Sequence, residues 1–117
     1  MRLVNLLLLF PSICFAGDWS KEDTYRQTTF TGLMILDWAQ TRTIAKNPDR
    51  FQELNKIEGQ HPTLAKINTY HSVGIIGHAA VSYILPRSYR ETWQYVWIGI
   101  EVEAVRHNYR MGIRMDF

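Results

Sequence analysis

The sequence predicts an all-α protein: three long helices in an up-down-up bundle that follows a cleaved signal peptide. Three observations lead to this prediction. The chain has 117 residues, the size of one domain. A run of 20 uncharged residues, 67–86, lies in its second half. Proline and turn-forming residues separate that run from one helical segment on each side. We therefore expect a signal peptide at 1–16 and a single three-helix domain at 17–117.

The first 16 residues have the three-part pattern of a secretory signal peptide. Arg2 supplies a positive start, residues 3–10 are apolar apart from Asn5, and Cys14 and Ala16 are small residues before the cleavage point. An uncleaved anchor is the alternative, but the apolar stretch is shorter than the ~20 residues that span a bilayer. Since the chain has a single cysteine, cleavage leaves a mature protein without disulfides or thiol chemistry.

The first helix is predicted over about residues 20–46. Ser20 can accept from the amide three residues further on, and Asp23 lies in the first turn, where an acidic side chain suits the helix dipole. Asn47-Pro48 ends the helix, because proline lacks a donor and restricts the residue before it.

The second and third helices are bounded by the same kinds of signal. The second is predicted over about residues 62–85, with Pro62 in its first turn. The third is predicted over about residues 88–110, because Ser88 and Glu91 have the spacing of a capping box.

The connection between the first two helices is polar and carries a candidate loop motif. Its residues are Glu53, Asn55, Gly59 and His61. Their spacing matches neither a zinc site nor a phosphate-binding loop. Asn55 and Gly59 are typical turn formers, and Gly59 indicates a turn with positive φ.

The helices are predicted to cross a membrane, with the N-terminus outside and the C-terminus inside. The uncharged run is about the length that a transmembrane helix requires. In this topology eight basic residues lie on the cytoplasmic side and four outside, as the positive-inside rule demands. The alternative is a soluble periplasmic bundle, favoured by the negative mean hydropathy and by the acidic residues of the outer two helices. The predicted location is therefore the inner membrane, with the periplasm as the alternative.

Six polar residues interrupt the apolar parts of the helices at helical spacing. Three share a face of the first helix, one lies on the second, and two share a face of the third. In an up-down-up arrangement they fall in the same half of the bundle, so we expect them to converge. They are Asp37, Gln40, Thr41, His71, Glu101 and Asn108.

Three interpretations of this cluster remain open. It can be a structural network that holds the helices together. It can be a site for a proton or a ligand, centred on Asp37, His71 and Glu101. The same three side chains are also competent ligands for a divalent metal. No catalytic residue and no cofactor is predicted, and a divalent metal is retained only as an alternative.

Charge and motifs restrict the partners. The net charge is +2 and the basic residues are scattered, which excludes the strong positive surface of a nucleic-acid-binding protein. The expected partners are the membrane and either another protein or a second copy of the chain.

Several short motifs resemble those of a group of small uncharacterised proteins of Gram-negative bacteria and their prophages. The resemblance covers nearly the whole mature chain and implies a signal peptide and three membrane-associated helices, with no named activity. It rests on Asp37-Trp-Ala-Gln-Thr41, Asn55, Gly59-Gln-His61-Pro62, Asn68, Tyr70, Gly99-Ile-Glu101 and His107-Asn108.

The function expected from these observations is that of a small, non-catalytic inner-membrane protein that acts through a partner in an envelope- or phage-related role. One alternative is a small membrane enzyme or an ion- or proton-handling protein that uses the buried Asp/His/Glu cluster. The other is a soluble periplasmic helical binding module.

Overall fold

The computed structural model describes residues 18–51, 59 and 61–115, and within them the chain forms three helices. They are α1 (Lys21–Lys46), α2 (Leu64–Ile84) and α3 (Arg87–Arg110). The prediction of an all-α three-helix bundle is confirmed, and each predicted helix bound lies within two residues of the observed one. The predicted signal peptide, together with Glu53 and Asn55, lies outside the described residues.

Side-chain caps fix the starts of the first two helices. At α1 the Asp23 amide donates to Ser20 Oγ at 3.2 Å, and the Ser20 amide donates to Asp23 Oδ2 at 2.9 Å, which is a complete capping box. At α2 the Lys66 amide donates to Thr63 Oγ1 at 3.1 Å. The N-cap of α2 is therefore Thr63, and Pro62 lies just before the helix.

The predicted capping box at the start of α3 is wrong. The helix begins at Arg87, one residue before Ser88, and it has no side-chain cap. The reason is Pro86, which occupies the N-cap position and whose carbonyl oxygen accepts from the amides of Tyr89 and Arg90 at 2.9 Å. Ser88 thus lies inside the first turn and cannot cap it.

The long-range contacts establish the up-down-up arrangement. Asp23 near the start of α1 meets Arg90 near the start of α3, and Asp37 in the second half of α1 meets Asn108 at the end of α3. These two helices therefore run parallel. Because His71 near the start of α2 also meets Asp37, α2 runs antiparallel to both. Each of α2 and α3 packs more extensively on α1 than on the other.

The interior of the bundle is largely polar. Among the described residues, the buried polar side chains outnumber the buried apolar ones by ten to seven. The apolar ones are Phe30, Met34, Ala39, Ile44, Pro62, Ile67 and Ile113. In soluble domains apolar residues are the ones most often fully buried, and charged side chains are rarely buried unless they are paired.

None of the helices formed by the described residues combines the length and the apolar character that a membrane crossing requires. The prediction of transmembrane helices is therefore not supported by any single helix. In α2, for which the expectation was strongest, polar residues such as Asn68, His71 and His78 interrupt the apolar run.

Candidate functional site

The polar cluster anticipated from the sequence is centred on Asp37. Its Oδ1 accepts from Asn108 Nδ2 at 3.3 Å and from Thr41 Oγ1 at 3.4 Å, and its Oδ2 lies 3.4 Å from His71 Nε2. Gln40 joins the same network, because its Oε1 accepts from Asn108 Nδ2 at 3.2 Å and its Nε2 donates to the Val105 carbonyl at 3.3 Å. Side chains from all three helices therefore meet at one carboxylate.

Both ring nitrogens of His71 face oxygen atoms. Nδ1 lies 2.9 Å from the Ile67 carbonyl oxygen, which can only accept, so Nδ1 carries a hydrogen. For Nε2 to form a hydrogen bond with Asp37 Oδ2, one of these two atoms must also carry a proton. Trp38 stacks on the ring with the two centroids 5.9 Å apart. The pair can therefore hold a proton inside the bundle.

Glu101, the sixth predicted member, is buried and lines a cleft between α2 and α3. Among the described residues, no three His, Cys, Asp or Glu side chains are grouped so that they could hold a metal ion. The three candidate ligands Asp37, His71 and Glu101 therefore do not form such a group.

The described part of the candidate loop motif has the expected turn. Gly59 has a φ of 85°, in the region where a side chain is strained, as its position in the polar connection predicted. His61 is exposed. Glu53 and Asn55 belong to the part of the chain that is not described.

A shallow recess flanks the Asp37 cluster. Asn68 Oδ1 accepts from Trp38 Nε1 at 2.9 Å and from Arg42 Nη1 at 3.2 Å. These residues line an open recess of about 470 Å³ together with Thr69 and Ser72. Trp38 and Arg42 thus tie α1 to the start of α2 immediately beside His71.

A second buried network, at the opposite end of the bundle, was not anticipated from the sequence. Arg90 is 1% exposed, and its guanidinium donates to Asp23 Oδ2 at 3.0 Å and to the carbonyls of Ser82 and Leu85 at 2.7 and 2.9 Å. Gln94 donates to the Asp23 carbonyl at 3.1 Å. This network, here called the Arg90 network, joins all three helices.

One sequence signal for Arg90 exists in retrospect. A basic residue in the first turn of a helix opposes the positive end of the helix dipole. The first turn of α3 holds no acidic residue that would compensate. Arg90 therefore needs partners from elsewhere in the chain, and the acidic residues that meet it are Asp23 and, at 3.2 Å, the more exposed Asp18.

Asp23 is held ionised by this network. Burial opposes ionisation, but the bonds from the Ser20 amide and from the Arg90 and Arg26 side chains outweigh it and keep the pKa of Asp23 below its ordinary value. Arg26 also donates through Nε to Gln94 Oε1 at 2.7 Å. The carboxylate is thus paired with two arginines.

The cleft between α2 and α3 is the third feature of the interior. It has a volume of about 330 Å³ and a mainly apolar lining, with His78 in its wall. His78 is 5% exposed and stacks on Phe30 with the ring centroids 3.7 Å apart.

No protein-family model matches this chain, and no curated protein or solved structure matches it either. The resemblance to small proteins of Gram-negative bacteria and their prophages therefore remains a prediction. The function has to be inferred from the two buried networks, the cleft and the outer surface.

Proposed function

We propose that this chain is a small, non-catalytic protein of the inner membrane, embedded as an assembled bundle with its polar groups turned inward. The observation that carries the proposal is a belt of uncharged exposed residues around a polar interior. This uncharged belt consists of the exposed residues at 24–45 on α1, 67–86 on α2 and 92–102 on α3.

The belt contains large apolar residues that are strongly exposed. Its larger apolar members include Ile76 at 70%, Val73 at 62%, Val96 at 53% and Ile100 at 48% exposure. Exposed charged side chains lie beyond it, towards the two ends of the bundle. Such a distribution suits contact with lipid, because charged groups are costly in the hydrocarbon region.

Several of the polar residues that lower the hydropathy of the helices are ones that the bundle buries. Asp37 bonds to His71 and to Asn108, and Arg90 bonds to Asp23. In a membrane, polar groups are tolerated when they face the interior and pair with each other. The surface offered to lipid is thus more apolar than the helices taken singly.

The distribution of basic residues supports the orientation with the C-terminus inside. The end of the bundle that holds the C-terminus of α3 has five exposed basic residues in the helices and the tail: Lys46, Lys66, Arg106, Arg110 and Arg114. At the other end the exposed basic residues of the helices are Lys21 and Arg87. The positive-inside rule places the more basic end in the cytoplasm.

A non-catalytic role is supported by the bonds that the buried polar groups form with one another. The Asp37 carboxylate is engaged by Asn108, Thr41 and His71, and the Asp23 carboxylate by Arg90 and Arg26. Side chains bonded in this way stabilise the packing of helices. The protein then acts through contacts with a partner protein or a second copy.

Cysteine labelling tests the proposal. In a Cys14→Ser background, Ile76→Cys places a thiol in the belt and Glu91→Cys places one at its edge. Ile76 is 70% exposed in the isolated chain, so the bundle itself does not shield it. In intact membranes a water-soluble maleimide should label the Glu91→Cys protein readily and the Ile76→Cys protein poorly.

Vesicles of purified protein provide the control for a covering partner. Continued protection of Ile76→Cys in vesicles that contain no other protein would assign the shielding to lipid. Equal labelling of the two thiols, or release of the protein by osmotic shock, would contradict the proposal. Release by osmotic shock would favour the soluble periplasmic module instead.

A second candidate, proton handling, is favoured by the contact between His71 Nε2 and Asp37 Oδ2, which requires one proton. Vesicles that contain the protein and a pH-sensitive dye should then lose an imposed pH gradient faster than empty vesicles. Asp37→Asn should slow that loss. A gradient as stable as in empty vesicles would exclude this function.

A further inference from the structure

The cleft between α2 and α3 exists because these two helices pack only loosely on each other beyond the turn that joins them. Only Leu85 and Pro86 join them, yet they contact each other less than either contacts α1. Phe30 and Met34 of α1 also line the space between them. The result is a cleft of about 330 Å³.

The lining of this cleft is aromatic and apolar, and Gly77 keeps it open on the α2 side. Its aromatic side chains are Phe30, Tyr70, Trp93 and Trp97. Gly74 and Gly77 lie on α2, and a Cβ added at Gly77 would meet nothing within 4 Å. Apolar cavities of this kind accept small apolar molecules.

His78 adds a specific polar group. Its Nδ1 lies 2.9 Å from Gln27 Oε1, and the Gln27 amide nitrogen donates to Thr31 Oγ1 at 3.4 Å, which fixes the oxygen towards the histidine. Nδ1 therefore carries the hydrogen, and Nε2 is left with a lone pair. That atom is buried and has no hydrogen-bond partner among the described residues.

The histidine ring is held in place on both faces. Phe30 stacks on it with centroids 3.7 Å apart, and Trp93 stacks with centroids 5.4 Å apart. A buried acceptor without a donor is unfavourable, and native proteins seldom leave one. Because this acceptor borders a cleft, a ligand that enters the cleft can supply the donor.

We propose that this cleft binds an uncharged, mainly aromatic or apolar small molecule that donates one O–H or N–H hydrogen bond to His78. An anionic ligand does not fit, because the Glu101 carboxylate also lines the cleft. The inference is independent of the membrane location, since binding to purified protein can be measured whatever covers the outer belt.

Two probes that differ only in the donor test the ligand class. 1-Naphthol has an aromatic ring and an O–H group, and 1-methoxynaphthalene has the ring without the donor. Equilibrium dialysis against the purified protein in a mild detergent should give a dissociation constant about fivefold lower for 1-naphthol, as one neutral hydrogen bond provides. Absence of saturable binding of both probes would overturn the proposal.

A pair of glycine variants tests the location. Gly77→Leu fills the cleft, and Gly99→Leu is the matched control, because Gly99 is exposed on α3, meets nothing within 4 Å of an added Cβ and does not line the cleft. Binding of 1-naphthol should be lost in Gly77→Leu and kept in Gly99→Leu. Equal binding by the two variants would place the ligand elsewhere and overturn the proposal.

The role of His78 is tested by His78→Phe, which keeps an aromatic ring between Phe30 and Trp93. This variant should bind both naphthalene probes with the same affinity, so that the preference for 1-naphthol disappears. In the wild-type protein, the ¹⁵N signal of Nε2 should shift on addition of 1-naphthol and stay unchanged with 1-methoxynaphthalene. A preference for 1-naphthol that survives in His78→Phe would refute the assignment of Nε2 as the acceptor.

Discussion

Arg90 and Asp23 form an ion pair inside the bundle, with Arg90 Nη1 3.0 Å from Asp23 Oδ2 and each residue 1% exposed. The same guanidinium bonds to the carbonyls of Ser82 and Leu85, at the end of α2. One side chain therefore holds the α2–α3 turn against the start of α1.

Replacement of Arg90 by methionine should destabilise the fold strongly. The variant removes one of the two arginines that pair with the buried Asp23 carboxylate, and it takes the side-chain donor from the carbonyls of Ser82 and Leu85. Loss of one partner of a buried ion pair costs about 3–5 kcal/mol in the free energy of unfolding. Denaturant titration followed by circular dichroism measures the change.

Arg106→Met is the matched control for that variant. Arg106 pairs with Glu103 at 3.1 Å, but both side chains are more than half exposed. Removal of an exposed pair should cost less than about 1 kcal/mol. If the two methionine variants lost similar stability, the Arg90 network would not have the structural role described.

The stability of the protein should fall in acid because of Asp23. Its folded-state pKa lies below the ordinary value, so the carboxylate contributes stability that is present above the unfolded-state pKa. That contribution is lost as the pH falls through the lower, folded-state pKa. The thermal midpoint, recorded between neutral pH and about pH 2, should drop below about pH 4.

Asp23→Asn removes this titration. The variant should be less stable at neutral pH and should show a smaller decrease in the acid range. An acid dependence equal to that of the wild type would assign the effect to other carboxylates.

The Asp37 network should show energetic coupling between α1 and α3. Asn108 Nδ2 lies 3.3 Å from Asp37 Oδ1, so Asp37→Ala and Asn108→Ala should not be additive. Residues that share a network usually couple by about 0.5–3 kcal/mol. A double-mutant cycle based on unfolding free energies measures this coupling.

The comparison cycle pairs Asp37→Ala with Ser20→Ala, which lies in the capping box at the start of α1. These two changes should add to within about 0.5 kcal/mol, because they share no partner. Additivity of the Asp37 and Asn108 variants as well would show that their contact contributes no measurable energy.

Two serines near helix starts should respond differently to alanine substitution. Ser20 Oγ accepts from the Asp23 amide, so Ser20→Ala should cost about 1 kcal/mol. Ser88 is exposed and makes no cap, so Ser88→Ala should change the stability by less than about 0.5 kcal/mol. Thermal unfolding of the two variants side by side provides the measurement, and a larger loss at Ser88 would contradict the observed start of α3.

The sequence predicted the helices well because their limits are local. Ser20, Pro48 and Pro86 act within one turn of their own positions. The predicted cap at Ser88 was wrong because Pro86, two residues earlier, already occupies the N-cap position of α3. The spacing of Asp37, His71 and Asn108 also anticipated their convergence, because an up-down-up arrangement fixes the depth of each residue.

The tertiary structure alone decided which charged groups are buried. A sequence pattern assigns Arg90 to the exposed start of a helix, but the short α2–α3 turn presses it against Asp23, which lies 67 residues earlier. Likewise, the divergence of α2 and α3 decides that His78 borders a cleft. Local signals determine where helices begin and end, whereas burial and pairing depend on how the helices pack on α1, which no local signal encodes.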